Sequence, residues 1–207
     1  MNKSIKWIIG CVAAVALFVG IYFLYTMLSD KYAKDYFKEN LVEVTAVNSQ
    51  TDLPDESTSL NENENTAEIT PNLPNFSVTD MNGNTANLYD YLDKPVVLNF
   101  WASWCYPCQS EMPHFEEAYK KHPEVNFLMV NVTVSQGETM NAAKGFIEKN
   151  GYSFPVFFDT TGIASSTYNV YSFPTTFFIY KGGERALYAT GALSMDVLEE
   201  AISMILE

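Results

Sequence analysis

Basic residues are scarce in this sequence of 207 residues, with 12 lysines and arginines against 25 aspartates and glutamates and a formal net charge of −13. Proteins bind nucleic acids through lysine and arginine contacts to phosphate, so this deficit argues against a nucleic-acid partner. Histidine occurs twice and cysteine three times. Apolar residues nevertheless make up 47% of the chain, which is enough for a hydrophobic core.

Lysine and arginine are absent from residues 41–69, although seven acidic residues lie there. These acidic residues are Glu43, Asp52, Asp55, Glu56, Glu62, Glu64 and Glu68. The stretch shows neither helical nor strand periodicity, and it cannot bury enough apolar surface to offset the entropy lost on ordering. We therefore predict that residues 29–70 form a juxtamembrane segment and an acidic, flexible linker. A charged face of a folded element is the alternative.

Charge is also missing from residues 7–28, an apolar run with aromatic residues near both ends. About 20 apolar residues cross the hydrocarbon core as a helix, and aromatic residues suit the membrane–water interface. We predict an uncleaved single-pass anchor at residues 7–28, after a short tail at residues 1–6. A cleaved signal peptide and a lipidated Cys11 are the alternatives. Lysines flank both ends, so charge alone does not decide the orientation.

Residues 71–207 have the composition of one folded domain. Apolar runs predict strands at residues 75–79, 96–100, 127–132, 154–158, 173–180 and 185–190. Helical patterns predict helices at residues 105–120, 141–148 and 195–206. Turn signals lie at residues 81–84 and 181–184. This order predicts an α/β fold in which a central mixed sheet is flanked by helices on both faces.

Two of the three cysteines lie in "LNFWASWCYPC", residues 98–108, after a predicted strand and at the start of a predicted helix. The first turn of a helix presents unsatisfied N–H groups and the positive end of its dipole, and both favour a thiolate. We predict that Cys105 is the attacking sulfur and that Cys108, one turn deeper, resolves the mixed disulfide. This redox pair needs no further cofactor.

This motif resembles that of the TlpA/ResA-type thiol-disulfide oxidoreductases, a membrane-tethered extracytoplasmic branch of the thioredoxin-like family. The resemblance also involves "EMP" (residues 111–113) and "YNVYSFPTTFFIYKGG" (residues 168–183), and it covers nearly all of residues 71–207. It implies a thioredoxin-like fold. Residues 134–159 match the additional helix and strand of this branch.

The resemblance implies a substrate-binding set around the cysteines. Pro174 matches the cis-proline whose loop packs against the active disulfide and offers backbone groups to a peptide, and Phe173 precedes it. Trp104 matches an aromatic residue beside the site. Pro107 is familiar between the cysteines, whereas Tyr106 departs from the best-known members. Tyr106 either forms part of a partner-binding surface or is merely tolerated at an exposed helix start.

Glu111 is the third predicted catalytic residue. Asn99 stands where thioredoxin has a buried acid, so that proton carrier is missing. Glu111 lies three residues beyond Cys108 on the same helical stripe and matches an acid that ResA-like proteins keep beside their cysteines. We hypothesise that Glu111 exchanges a proton with Cys108 and raises the pKa values of the thiols. An ordinary solvated glutamate is the alternative.

Three other classes are disfavoured. A zinc site needs four ligands, and His114 and His122 do not complete one with the cysteines, so no metal is predicted. The residues before Cys105 do not match the peroxidase pattern Pro-x-x-x-Thr/Ser-x-x-Cys. A non-catalytic binding module with a structural disulfide is disfavoured because a bridge across two residues closes too small a loop to stabilise the fold much.

The expected function is therefore that of an extracytoplasmic thiol-disulfide oxidoreductase in the cell membrane. A carboxylate near the cysteines disfavours the low-pKa thiolate of strong oxidants, so reduction is favoured over disulfide formation. The implied partners are an exported protein with a disulfide, a membrane thiol electron donor of the CcdA type, and membrane lipid. Apocytochrome c, methionine-sulfoxide-repair enzymes and misbridged secreted proteins are the candidate substrates.

Overall fold

The computed structural model describes residues 17–24, 42–45 and 72–207. Residues 42–45 and 72–207 contain a mixed sheet of eight strands in the order β1-β8-β7-β4-β5-β6-β2-β3. The strands are β1 (Val42–Thr45), β2 (Ser77–Asp80), β3 (Thr85–Asn87), β4 (Val96–Trp101), β5 (Asn126–Asn131), β6 (Val156–Phe158), β7 (Thr175–Ile179) and β8 (Arg185–Thr190). The α-helices of residues 72–207 are α1 (Tyr106–Lys121), α2 (Met140–Asn150), α3 (Ile163–Thr167) and α4 (Met195–Ile205). Short 3₁₀ helices cover Leu88–Tyr91 and Lys181–Gly183.

Strand β4 lies at the middle of the sheet, and all six of its residues are buried. Its sequence "VVLNFW" is a nearly continuous apolar run, as expected for a strand covered on both faces. β4 runs parallel to β5 and antiparallel to β7, with Asn99 opposite Met129 and Thr176. The carboxyl end of this buried strand leads into the loop that carries Cys105.

The two faces of β4 pack against different elements. Phe100 points to one face, where its ring lies 6.3 Å from Phe76 and 6.1 Å from Tyr168, centroid to centroid. Neighbouring residues in a strand point to opposite faces. Asn99 accordingly contacts α1 on the other face, and the Trp101 ring lies 5.8 Å from Phe146 of α2. Ala164 of α3 belongs to the core cluster around Phe100, so helices flank both faces of the sheet, as predicted.

Most predicted elements occur within a few residues of their expected positions. Helix α2 is longer than predicted because the Thr139 hydroxyl caps its first turn, and Gly151, at φ 68°, ends it in a left-handed conformation. β3 and α3 were not predicted. They contain three and five residues, too few to show a periodic pattern.

The predicted linker is wrong for four of its residues. Val42–Thr45 form the edge strand β1, which pairs antiparallel with β8 from Val42 opposite Tyr188 to Thr45 opposite Arg185. The sequence V-E-V-T does alternate apolar and polar residues, but so short a segment gives a weak strand signal. The remainder of the predicted linker lies outside the described residues.

The predicted anchor at residues 7–28 lies mainly outside the described residues. Residues 17–24, which belong to it, are helical. Within the described ranges, no helix is long and apolar enough to cross a membrane.

Candidate active site

A disulfide joins Cys105 and Cys108, with 5.3 Å between their Cα atoms. Cys105 is the N-cap residue of α1, and its Sγ accepts a hydrogen bond from the Cys108 N–H at 3.2 Å. The attacking position predicted from the sequence therefore lies at the free N–H groups of a helix start. Cys105 is 5% exposed and Cys108 is 0% exposed, so a partner can reach only the first sulfur directly.

A cleft of about 570 Å³ opens beside Cys105. It is lined by Trp104, Cys105, Tyr106, Pro107, Val134, Ser135, Gln136, Tyr171, Ser172 and Phe173. None of these side chains is charged, and the rings of Tyr106 and Tyr171 are 79% and 90% exposed. The structure thus brings four of the five predicted substrate-binding residues together around the attacking sulfur.

The fifth predicted residue, Pro174, is buried and does not line this cleft. The Phe173–Pro174 peptide bond is cis, as the resemblance implies. The Pro174 carbonyl accepts a hydrogen bond from the Gly191 N–H at 2.8 Å. Phe173 lies at the cleft itself, where its ring centroid is 6.1 Å from that of Trp104.

Glu111 is fully buried, at 0% exposure, so the alternative of a solvated glutamate is wrong. Its Oε1 accepts a hydrogen bond from Asn99 Nδ2, and its Oε2 accepts one from the Leu193 N–H, both at 2.9 Å. Burial raises the pKa of Glu111 to about 8, although both hydrogen bonds act in the opposite direction. The side chain is therefore largely protonated at neutral pH.

Asn99 links Glu111 to strand β7. Its Nδ2 also donates to Thr176 Oγ1 at 2.9 Å, whereas its Oδ1 is buried and has no hydrogen-bond partner among the described residues. If the amide turns over, Oδ1 can accept from a protonated Glu111, and the Thr176 hydroxyl can act as donor instead of acceptor. The same three side chains can thus satisfy both protonation states of Glu111.

Several residues at the site were not predicted, and Glu138 is the clearest example. Glu138 is 6% exposed and accepts hydrogen bonds from the Ser103 N–H and from Ser103 Oγ, the latter at 2.9 Å. It thereby ties the segment before α2 to the loop that leads into Cys105. The resemblance marked this segment as additional, but nothing in the sequence pairs Glu138 with Ser103.

The two histidines contact different parts of the protein. His114 Nδ1 lies 2.9 Å from the Leu193 carbonyl oxygen. His122 pairs with Glu124 and Glu199 at 3.0 and 3.1 Å. In the described ranges, no three His, Cys, Asp or Glu side chains are grouped so that they could hold a metal ion.

The fold and this site define a class of protein. A cysteine pair at the start of a helix, a central mixed sheet and a cis-proline beside the site are the features of a thioredoxin-like thiol-disulfide oxidoreductase. Comparisons with known proteins agree. Residues 69–184 match the AhpC/TSA family.

Individual relatives are more specific. ResA of Bacillus thuringiensis subsp. konkukian is 38% identical over 138 residues, which are 67% of this chain and 79% of ResA. ResA of Geobacillus kaustophilus is 39% identical over 134 residues, 64% of this chain and 75% of that protein. The crystal structure of StoA from Bacillus subtilis is 28% identical, with a TM-score of 0.55 over 62% of this chain and 96% of StoA. The chain belongs to the AhpC/TSA family and is a thiol-disulfide oxidoreductase of the ResA type.

Proposed function

We propose that this protein is a single-pass membrane protein that holds its thioredoxin-like domain outside the cytoplasm and reduces disulfides in exported proteins. The predicted anchor at residues 7–28 and the predicted linker that follows it support this arrangement. The observation that carries the direction of the reaction is the buried Glu111, one helical turn from Cys108.

The reducing reaction has two exchange steps. The Cys105 thiolate attacks one sulfur of the substrate disulfide, and the other substrate sulfur leaves as a thiolate. Cys108 then loses its proton and attacks the Cys105 sulfur of the mixed disulfide, which releases the second substrate thiolate. Two electrons pass from the dithiol to the substrate, and the Cys105–Cys108 disulfide forms.

Glu111 manages the proton of Cys108 in this scheme. Cys108 is 0% exposed, so water cannot reach its thiol directly. The Glu111 carboxylate takes the proton as Cys108 attacks, and it returns that proton when the disulfide is reduced again. A pKa of about 8 leaves Glu111 protonated in the oxidised protein at neutral pH, which is the state that can supply the proton.

Regeneration of the dithiol needs a second reaction partner. A dithiol donor of the CcdA type in the membrane attacks the Cys105–Cys108 disulfide and passes two electrons back by the reverse exchange steps. The electrons travel through this pair alone, and no bound cofactor is proposed. The anchor contacts membrane lipid and keeps the domain near the donor. Nucleic acid has no place in the scheme.

The cleft beside Cys105 suits a polypeptide substrate without charge near its disulfide. A charged side chain would lose water there without gaining an opposite charge, because the lining carries none. Tyr106 and Tyr171 offer exposed rings on which an apolar or aromatic side chain can pack. We therefore assign Tyr106 to the substrate surface. Apocytochrome c, methionine-sulfoxide-repair enzymes and misbridged exported proteins remain the candidate substrates.

Disulfide formation is the competing function, and it needs a strongly oxidising pair. Strong oxidants stabilise the thiolate of the attacking cysteine. Glu111 supplies no positive charge for this, and it would destabilise a neighbouring thiolate whenever it ionised. The buried carboxyl group thus favours the reductant.

The reduction potential of the Cys105–Cys108 pair tests the direction. The full-length chain is equilibrated with a graded thiol–disulfide buffer, and its free thiols are quantified. We expect a potential near or below about −250 mV, as in thioredoxin. A value near about −120 mV is that of a disulfide-forming oxidant and would reverse the proposed direction.

Labelling of intact cells tests the location. A membrane-impermeant maleimide should modify reduced Cys105 in cells that express the full chain, and the labelled protein should sediment with membranes. Labelling only after the cells are lysed, or recovery in the soluble fraction, would contradict the proposed arrangement.

A further inference from the structure

The segment Gly191–Ser194, which connects β8 to α4, forms hydrogen bonds both with the cis-proline, Pro174, and with helix α1. At its start, the Gly191 N–H donates to the carbonyl of Pro174 at 2.8 Å. Two residues later, Leu193 is held at both ends by side chains of α1. Its N–H donates to Glu111 Oε2 at 2.9 Å, and its carbonyl oxygen lies 2.9 Å from His114 Nδ1.

The direction of the His114 hydrogen bond follows from its partner. A carbonyl oxygen can only accept, so Nδ1 of His114 must carry the proton. Glu111 and His114 are three residues apart and therefore lie on the same face of α1. Helix α1 thus binds both backbone groups of Leu193: Glu111 accepts from its N–H, and His114, one turn further along, donates to its carbonyl oxygen. Leu193 is 6% exposed, so water does not readily replace either bond.

We propose that His114 is a positioning residue: by holding the Leu193 carbonyl, it keeps the Leu193 N–H directed at Glu111 and so controls the proton exchange between Glu111 and Cys108. This inference rests on the role proposed above for Glu111. Without the imidazole, the backbone of Leu193 is free to turn, and its N–H is no longer fixed toward the carboxyl group. A donor that weakens in this way stabilises the ionised carboxylate less.

The other groups around Glu111 determine how strongly the hydrogen bond from Leu193 affects its ionisation. Strand β4 presents Asn99, and the 191–194 segment presents the Leu193 N–H; neither group is charged. On α1 itself, the titratable neighbours one turn away are Cys108 and His114. Within residues 72–207, Glu111 forms no ion pair. The two hydrogen bonds are thus the main local support for its ionised form.

Three variants of the full-length oxidised chain test the proposal by carboxyl carbon NMR on protein labelled with ¹³C-glutamate. The Glu111 signal is assigned by its loss in Glu111→Gln. In His114→Ala we expect the titration midpoint of Glu111 to rise by about half to one pH unit, because one hydrogen bond weakens. His114→Asn should restore the wild-type midpoint, since its amide N–H can replace Nδ1 as donor.

His122→Ala is the matched control, because it removes an imidazole at the end of the same helix whose polar partners within residues 72–207 are Glu124 and Glu199. Its Glu111 midpoint should equal that of the wild type. An unchanged midpoint in His114→Ala would overturn the proposal. So would a shift in His114→Asn equal to that in His114→Ala, which would show that the imidazole charge and not the donor matters. If Glu111 in the wild type does not titrate between neutral and mildly alkaline pH, the proposed function of Glu111 itself fails.

Discussion

Cys105 caps the start of helix α1 and Glu111 lies within the same helix, yet their surroundings are opposite. Around Cys105 the protein is open, uncharged and aromatic, with Tyr106 79% exposed. Around Glu111 it is closed and polar, and the carboxyl group is 0% exposed and hydrogen-bonded on both oxygens. Partner recognition and proton control therefore use different parts of α1. A substitution can change one of these two properties without changing the other.

The largest effect is expected from Cys108→Ser, which breaks the link between the two regions. Cys105 can still attack a substrate disulfide, but nothing resolves the product, so turnover stops and a mixed disulfide accumulates. Non-reducing electrophoresis and mass spectrometry detect this adduct. Cys105→Ser is the control and should form no adduct through Cys108, which is buried. Continued turnover by Cys108→Ser would show that resolution does not need this thiol.

The buried carboxyl group of Glu111 should make the stability of the fold depend on pH. Burial raises the pKa of Glu111 from 4.5 to about 8, so between these values the folded protein binds more protons than the unfolded chain. The stabilising effect is complete below pH 4.5 and is lost as pH rises toward 8. The free energy of unfolding of the wild type should therefore fall relative to that of Glu111→Gln by about 1.4 kcal/mol per pH unit in this window.

Urea unfolding of both proteins at several pH values measures this difference, in which titrations common to both cancel. Glutamine can replace the protonated glutamate because the Asn99 amide can turn to accept from it. A constant difference across the window would mean that Glu111 titrates normally in the folded protein.

Catalysis should depend on the same carboxyl group. With dithiothreitol as donor and a peptide disulfide as substrate, Glu111→Gln should slow turnover near neutral pH by about 10²-fold, the usual contribution of a general acid or base. Glu117→Gln changes an exposed glutamate on the same helix and should leave the rate unchanged. Equal rates in all three proteins would remove Glu111 from the mechanism.

The smallest effect is expected from changes to the exposed rings of the cleft beside Cys105. Tyr106→Ser and Tyr171→Ser each remove an exposed ring from the cleft, and the KM for a peptide disulfide flanked by phenylalanine should rise about threefold to tenfold. The rate with a small aliphatic disulfide should not change. Ile163→Ser alters an exposed apolar side chain that does not line the cleft and serves as control. If the KM is unaffected, the rings do not contact the substrate.

Much of the domain was predictable because its signals are local. The apolar run of β4, the turn residues after β2 and the cysteines at the start of α1 each lie within a short stretch of chain. Val42–Thr45 escaped prediction because a four-residue edge strand depends on its partner β8. The cleft was predicted only in part. Val134 reaches it from a loop without a motif, and Tyr171 lies in the stretch 168–183 that carries the resemblance but was assigned no role.

The sequence by itself determined the order of most strands and helices, the position of the cysteine pair at a helix start and the spacing of Glu111 one helical turn beyond Cys108. These follow from backbone geometry and from spacing along one helix. Only the tertiary structure decided that Glu111 is buried, that Thr176 joins it through Asn99, and that Leu193, 82 residues further along the chain, donates to it. The physical reason is that desolvation and long-range hydrogen bonds depend on which distant segments pack together, and no local pattern contains that information.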